Sequence, residues 1–250
     1  MSDNVLLVTG ASSDIGTALI RKIHENYKYI IAHYNNKNDN FVKLENDLGD
    51  KFIAIQANFL DEEETLEFAN KIINLGMVPT HFIHLPAFPV YSIKFAKTKW
   101  DDFDKAFSIG FRSATIICQS LIPLMIKNGG GKIIIMLTYN LINQPVIKYV
   151  IPYTTSKYAM LGLMKGLASE YANKNVMVNG ISPSTIKTKY IKGFPDVVIE
   201  KSAYESPFGD NLMVSEVLPL IEFLFSSGGD RITGQNIAIT GGNWGKSWDF

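Results

Sequence analysis

The chain has 250 residues, 46% of them hydrophobic and 19% charged, enough apolar material for one sizeable core. Lys plus Arg and Asp plus Glu balance at 24 each, so no net field draws in nucleic acid or an anionic membrane surface, and the expected partners are small molecules or further copies of the chain. A single cysteine, Cys118, excludes an internal disulfide; with no signal-like start and no uncharged apolar run of about 18 residues, the expected setting is the cytoplasm.

Short runs rich in Val and Ile alternate with stretches of helical period. The first run, VLLVT at 5–9, ends at Thr9-Gly10 and passes directly into a helix expected over 15–26. The turn between them, TGASSDIG from Thr9 to Gly16, offers backbone N–H groups and the positive end of a helix dipole, which suits a diphosphate. Its glycine spacing departs from G-x-G-x-x-G, and Asp14 sets a negative charge inside an anion cradle. Asp14 is expected to cap the helix and to point away from the ligand.

Further strands are expected at 29–33, 52–56, 81–85, 132–137, 176–181 and 236–240, with helices at about 38–48, 62–75, 101–127, 154–173 and 215–227. Asp61 is placed to cap the third helix, whose first turn carries Glu62, Glu63 and Glu64. Seven strands joined by six crossovers describe an α/β, doubly wound parallel sheet with helices on both faces, in one domain over 1–250. Ligands bind such sheets outside the carboxyl ends of the strands. Three strand-end segments there, 86–98, 138–152 and 182–213, are longer than a crossover needs. The last, with Tyr190, Phe194, Tyr204 and Phe208 among Lys187, Lys189 and Lys192, reads as a flap over about 184–213.

The expected fifth crossover opens with YTTSKYAM, where Tyr153 and Lys157 are four apart and share a helix face. A cation beside a phenol favours the phenolate and brings its pKa toward the working range. Composition alone would supply about one such pair by chance, so the spacing gains meaning only from its surroundings. The four histidines, His24, His33, His81 and His84, form no joint ligand set, and no catalytic metal is expected. No stacking platform in a basic groove points to nucleic acid.

Taken in order, the Thr-Gly turn, Tyr-x-x-Ser-Lys, NGISPSTIKT after the sixth strand and ITGQNIAITGG near the end resemble the short-chain dehydrogenase/reductase family over about residues 4–242. The resemblance implies a Rossmann-type dinucleotide-binding domain, oxidoreductase activity on a small carbonyl compound or alcohol, and a homo-oligomer, tetramer or dimer. It implies that Tyr153 is the general acid/base, that Lys157 lowers its pKa and holds the nicotinamide ribose, and that Thr138 orients the carbonyl. The implied cofactor contacts are Thr9, Gly10, Ser12, Ser13, Asp14, Ile15 and Gly16 in the cradle, Tyr34, Asn35 and Asn36 after the second strand, and Asn58 and Phe59 after the third. Ala87, Tyr153, Lys157, Pro183, Ile186 and Thr188 complete the set.

The chain departs from the family pattern in several places. HLPAF sets Leu85, Pro86 and Phe88 where Asn-Asn-Ala-Gly is usual, so polar ties between strands must be supplied otherwise or lost. Gly110 stands where an asparagine thought to hold a relay water is usual, which implies slower turnover, and Asn58 replaces an adenine-contacting aspartate. The end of the second strand, HYNNKND, has no acid before Asp39, while Asn35, Asn36 and Lys37 suit a 2'-phosphate. NADP is therefore the preferred cofactor and NAD the alternative. Leu141, Ile142, Val146 and Ile147 favour a partly apolar substrate, and Trp244, Trp248 and Phe250 could cover a neighbouring site or the chain's own surface. A second reading remains open: a catalytically weakened relative that serves as a cofactor-binding or subunit protein.

Overall fold

The computed structural model describes residues 4–142, 147–193 and 196–242, with the side chains of Lys192, Gly193 and Val198 outside the description. Seven strands, β1 (Val5–Thr9), β2 (Tyr29–Tyr34), β3 (Phe52–Gln56), β4 (His81–His84), β5 (Gly131–Met136), β6 (Val176–Pro183) and β7 (Asn236–Ile239), form one sheet in the order β3-β2-β1-β4-β5-β6-β7. Every pairing is parallel. The order reverses between β1 and β4, where Thr9 lies in register with His84. The crevice at that reversal is the site the topology provides.

Alternation along the strands sends successive residues to two cores. Leu7, Ile31, Phe82, Ile133 and Ile135 pack beneath α3 (Glu62–Asn74), α5 (Ser113–Lys127) and α6 (Ile151–Tyr171), against Phe68, Leu121 and Met160. Leu6, Val8, Ile30, Ile83 and Ile134 pack beneath α1 (Asp14–Ile23), α2 (Asp39–Leu48) and α8 (Val214–Phe225), against Leu19, Phe41 and Ile221. Being buried on both faces, the strands read as apolar runs in the sequence. Cys118 lies inside the first core, where burial pushes its thiol up to about 12.

Two features differ from the sequence expectation. The helix expected over 101–127 is divided into α4 (Trp100–Phe107) and α5 by a π-turn over Ser108–Arg112 with Gly110 buried at its centre. The segment after β6 also contains a helix of its own, α7 (Asp196–Glu205), which has too little apolar periodicity to announce itself. By length and composition Trp100–Lys127 could span a membrane, but Ile117, Leu121, Ile122 and Met125 spend its apolarity on the core.

Removing a ring from the sheet centre leaves a cavity that neighbours fill only in part. Phe82 is fully buried between β1 and β5. Phe82→Ala is expected to lower the unfolding free energy by about 3–5 kcal/mol in urea titrations, and a loss below about 1 kcal/mol would contradict this packing.

Candidate functional site

The cradle is held by an imidazole that no motif announces. Gly10 N–H donates to His33 Nδ1 at 3.0 Å and Ala11 N–H donates to the His33 carbonyl at 2.8 Å. Because Nδ1 accepts, the ring proton resides on Nε2, which donates to Ala57 O at 3.0 Å. Phe59 stacks on the ring with centroids 3.8 Å apart. Burial drives the His33 pKa down to about 4, so the ring stays neutral. Ser13 N–H donates to Gly10 O and Gly16 N–H to Ser13 Oγ, both at 3.0 Å. Among the described residues this leaves the N–H groups of Ser12, Asp14 and Ile15 without a protein acceptor, available to an anion. Gly10 takes φ +71°, and a Cβ on Gly16 would stand 2.7 Å from Ala11 and Gly10 backbone atoms, so both positions require glycine.

The structure corrects two expectations about the cradle and adds a contact that neither foresaw. Ser13, and not Asp14, caps α1. Asp14 lies in the helix's first turn, and its Oδ2 accepts from Lys189 N–H at 2.7 Å, a contact across 175 residues. The Thr9 side chain is fully buried and engaged with Ile83 O and His84, so it ties β1 to β4 and presents no hydroxyl to a ligand.

On the adenosine side, Tyr34 is half-buried against Phe41, while Asn35 and Asn36 are exposed. Lys37 is not free as expected: it pairs with Glu45 at 2.5 Å, a bond that raises its pKa. Asn38 donates to Ser12 O at 2.6 Å and caps α2, tying this loop to the cradle. Asn58 Oδ1 accepts from Leu60 N–H at 3.1 Å, which occupies the carbonyl expected to meet adenine. The Phe59 ring is 3% exposed and belongs to the core, so only its backbone remains for a ligand. Asp61 caps α3 as expected, accepting from Glu64 N–H at 3.0 Å.

At the other end of the crevice α6 carries both Tyr153 and Lys157, and the Lys157 Nζ sits 5.7 Å from the Tyr153 ring centroid. Thr138, just beyond β5, hydrogen-bonds the Tyr153 phenol. Lys157 is 3% exposed and donates to Met136 O at 2.7 Å. The expected lowering of the tyrosine pKa is absent. Burial pushes Tyr153 up to about 12, partly offset by Thr138, and drives Lys157 down to about 7. Desolvation of both groups outweighs their proximity. At Gly110, where the family's usual residue is asparagine, a Cβ would lie 3.0 Å from Met160 Sδ and from Ser156 Oγ, so those side chains would have to give by a few tenths of an ångström to admit one. The tie lost with Leu85 and Pro86 is supplied by His84, whose Nδ1 is 2.9 Å from Thr9 Oγ1. Reading histidines only as metal ligands passed over both His33 and His84; their place one strand-end away from the Thr-Gly turn is the signal that would have found them.

The long segments close over these groups. Pro183 ends β6, Ile186 bridges to Leu212 and is 8% exposed, and Thr188 lies beyond it, its carbonyl accepting from Ile191 N–H at 3.3 Å. Tyr190 donates to Phe88 O at 2.6 Å, and Ile93 N–H donates to Tyr149 O at 2.8 Å, so the flap, the post-β4 segment and the post-β5 segment are joined. Ala87 is half-buried in the second of these. Leu141 packs on the core, whereas Ile147 is 40% exposed. Val146, Phe194, Trp244, Trp248 and Phe250 lie outside the described residues.

Residues 10–243 match a family model described as enoyl-(acyl carrier protein) reductase. An NADPH-dependent aldehyde reductase-like chloroplastic protein of Arabidopsis thaliana is 28% identical across 97% of this chain and 94% of its own length. A 3-oxoacyl-[acyl-carrier-protein] reductase of Rickettsia typhi is 29% identical across 94% and 95%. Among solved structures, a 3-ketoacyl-(acyl-carrier-protein) reductase of Brucella melitensis complexed with NADH superposes with a TM-score of 0.86 at 19% identity, covering 96% of this chain and 98% of that one. A short-chain dehydrogenase/reductase of Serratia marcescens superposes with a TM-score of 0.86 at 21% identity, covering 97% and 98%.

His33, His81 and His84 have pKa values of about 4, 4 and 3 when folded against 6.5 when solvated, with burial the leading cause in each. The unfolded chain therefore binds more protons between about pH 6.5 and 4, and the stability present above that window is lost as pH falls through it. The urea midpoint is expected to drop between pH 7 and 5 and to drop less steeply in His33→Gln; a midpoint unchanged over that range would refute buried neutral imidazoles.

Proposed function

The chain belongs to the short-chain dehydrogenase/reductase family, and from that premise we propose that it reduces a small, partly apolar carbonyl compound with a nicotinamide dinucleotide, NADPH in preference to NADH. The observation that carries the reading is the convergence of the Thr138 hydroxyl, the Tyr153 phenol and the Lys157 ammonium at the carboxyl end of β5. The cradle fits a dinucleotide diphosphate: three N–H groups are unclaimed and two glycines admit close approach. When bound, the reduced nicotinamide supplies hydride to the carbonyl carbon.

The chain's own residues do the rest. Thr138 donates to the substrate carbonyl oxygen and, with Tyr153, fixes its orientation. Tyr153, whose buried phenol keeps its proton at neutral pH, gives that proton to the oxygen as negative charge develops there. Lys157 holds the ribose and supplies positive charge behind the phenol. At about 12 the phenol holds its proton at neutral pH but is a weak donor, so the reading requires a cation beside it in the complex to bring it toward the working range. Tyr190, with Phe88, Ala87 and Ile186, closes the crevice against water, while Ile147 contributes to its apolar mouth. The same reading has one domain working as a homo-oligomer, supported by the exposed Trp100 and Tyr158 on α4 and α6. Retention of all three polar groups favours an enzyme over a cofactor-binding subunit.

Calorimetric titration with NADPH and NADH, followed by NADPH oxidation with a panel of aldehydes and ketones, tests the reading. Tyr153→Phe is expected to keep cofactor affinity within about threefold and to lower turnover by 10²-fold or more, on the order expected for removal of a positioned acid. Binding with no Tyr153-dependent turnover on any carbonyl would overturn it. For cofactor choice, Glu45→Gln releases Lys37 toward a 2'-phosphate and is expected to raise the NADPH-to-NADH affinity ratio about two- to fivefold. An unchanged ratio would place the 2'-position elsewhere.

A further inference from the structure

Arg112 is the last residue of the π-turn between α4 and α5, and its guanidinium reaches across to the segment that follows β3. Nη2 donates to Leu60 O at 2.7 Å and to Phe59 O at 3.4 Å, and Nη1 lies 3.6 Å from Glu62 Oε2 in the first turn of α3. The turn it grips is closed on itself: Asn58 N–H donates to Glu64 Oε2 at 2.7 Å, Leu60 N–H to Asn58 Oδ1 at 3.1 Å, and Asp61 N–H to Asn58 O at 2.9 Å. Those bonds give residues 58–61 their shape but not their place. Among the described residues, the hydrogen bonds that join this turn to any element other than α3 run to Arg112. On its inner side the turn rests on the Phe59 ring, stacked on His33 and edge-on to Phe68. The Glu62 carboxylate is 62% exposed, so that ion pair is worth little and the grip belongs to the two carbonyls. A planar guanidinium meets both at once, whereas an ammonium is a single point of charge.

The grip has a firm base. Ser113, next to Arg112, is fully buried and donates to Ile109 O at 2.6 Å, and Ile117 and Leu121 seat α5 in the core beneath the sheet. The strand order places β2 and β3 on one side of the cradle and β4 and β5 on the other. A dinucleotide with its diphosphate at the cradle and its nicotinamide beside Tyr153 therefore directs its adenosine half over the ends of β2 and β3, where the 58–61 turn stands. We propose that Arg112 is a positioning residue for that half: holding the Phe59 and Leu60 carbonyls keeps the 58–61 turn, and the Phe59 ring on His33, in place as the wall of the adenosine site. Arg112 acts through the turn and not on the cofactor itself. A residue of the π-turn thus serves the end of the crevice opposite to Tyr153. The inference deepens the reductase reading and rests on it for the identity of the ligand.

The two halves of the cofactor are separable probes. Affinities for 5'-AMP and for reduced nicotinamide mononucleotide, each titrated by competition against bound NADPH, are compared in the wild type, Arg112→Met, Arg112→Lys and Glu62→Gln. In Arg112→Met the 5'-AMP affinity is expected to fall about tenfold or more and that of the nicotinamide half less than about twofold, with KM for NADPH raised in step and kcat at saturation within about twofold of the wild type. Arg112→Lys, which keeps a donor, is expected to recover part of the loss, to about three- to fivefold, and Glu62→Gln to change neither half. An unchanged 5'-AMP affinity in Arg112→Met, or equal losses for both halves, overturns the proposal. If Arg112→Met does not fold, the split between the halves in Arg112→Lys decides in the same way. When the wild type binds NADPH and the variants show no split, the positioning role alone fails; when the wild type binds neither NADPH nor 5'-AMP, the reductase reading fails and takes the proposal with it.

Discussion

The hydrogen bond from the Gly10 amide to His33 Nδ1 is the constraint from which the crevice is built. It spans β1 and β2, and through Nε2 it reaches the residue that follows β3, so three neighbouring strand ends share one ring. Because Nδ1 must accept, the ring has a single usable tautomer, and burial keeps it neutral. With Gly10 and Ala11 already committed to His33, the turn has one way left to offer amides outward, through Ser12, Asp14 and Ile15. The direction in which the turn offers its free amides is thus decided by a buried side chain.

A second constraint runs through the other half of the crevice: polar groups are buried where the sheet ends and must be satisfied there. Ser156 meets Ala106 O, Lys157 meets Met136 O, and Thr9 meets Ile83 O. Each of these bonds goes to backbone, and none is a full ion pair. The dry environment raises Tyr153 and lowers Lys157 at once, so at neutral pH the phenol keeps its proton while the amine is only partly charged. A ligand that brings negative charge beside Lys157 restores the charged amine, which makes the electrostatics of the pair a property of the complex.

The sheet was legible because buried parallel strands and amphipathic crossovers leave clear periods, and the Asp61 cap because it is local. Tyr153, Lys157 and Thr138 were brought together as their order suggested, since α6 and the end of β5 are fixed to one another by the fold. What stayed hidden acts through space. Lys37 is neutralised by Glu45 eight residues away, on the next helix, and no pattern in HYNNKND shows it. The break at Gly110 is invisible because a π-turn adds one residue without disturbing apolar spacing enough to read. His33 and His84 were judged by the chemistry of metals, whereas their work is to accept and donate within the sheet. Asp14 was placed by local rules as a cap, and a partner 175 residues away overruled them.

That partner changes what the acid in the cradle means. One amide-to-carboxylate bond ties the diphosphate turn to the segment that roofs the crevice, while Tyr190, next along the same segment, is tied to Phe88 on the opposite rim. Two halves of the site that differ in task therefore share a mechanical joint. Thermodynamic reciprocity then applies: whatever free energy an anion at the turn adds to or takes from that bond, the position of the roof must exert the same amount on the anion. Any anion held at the turn and the placement of the segment after β6 would therefore be coupled through that one bond.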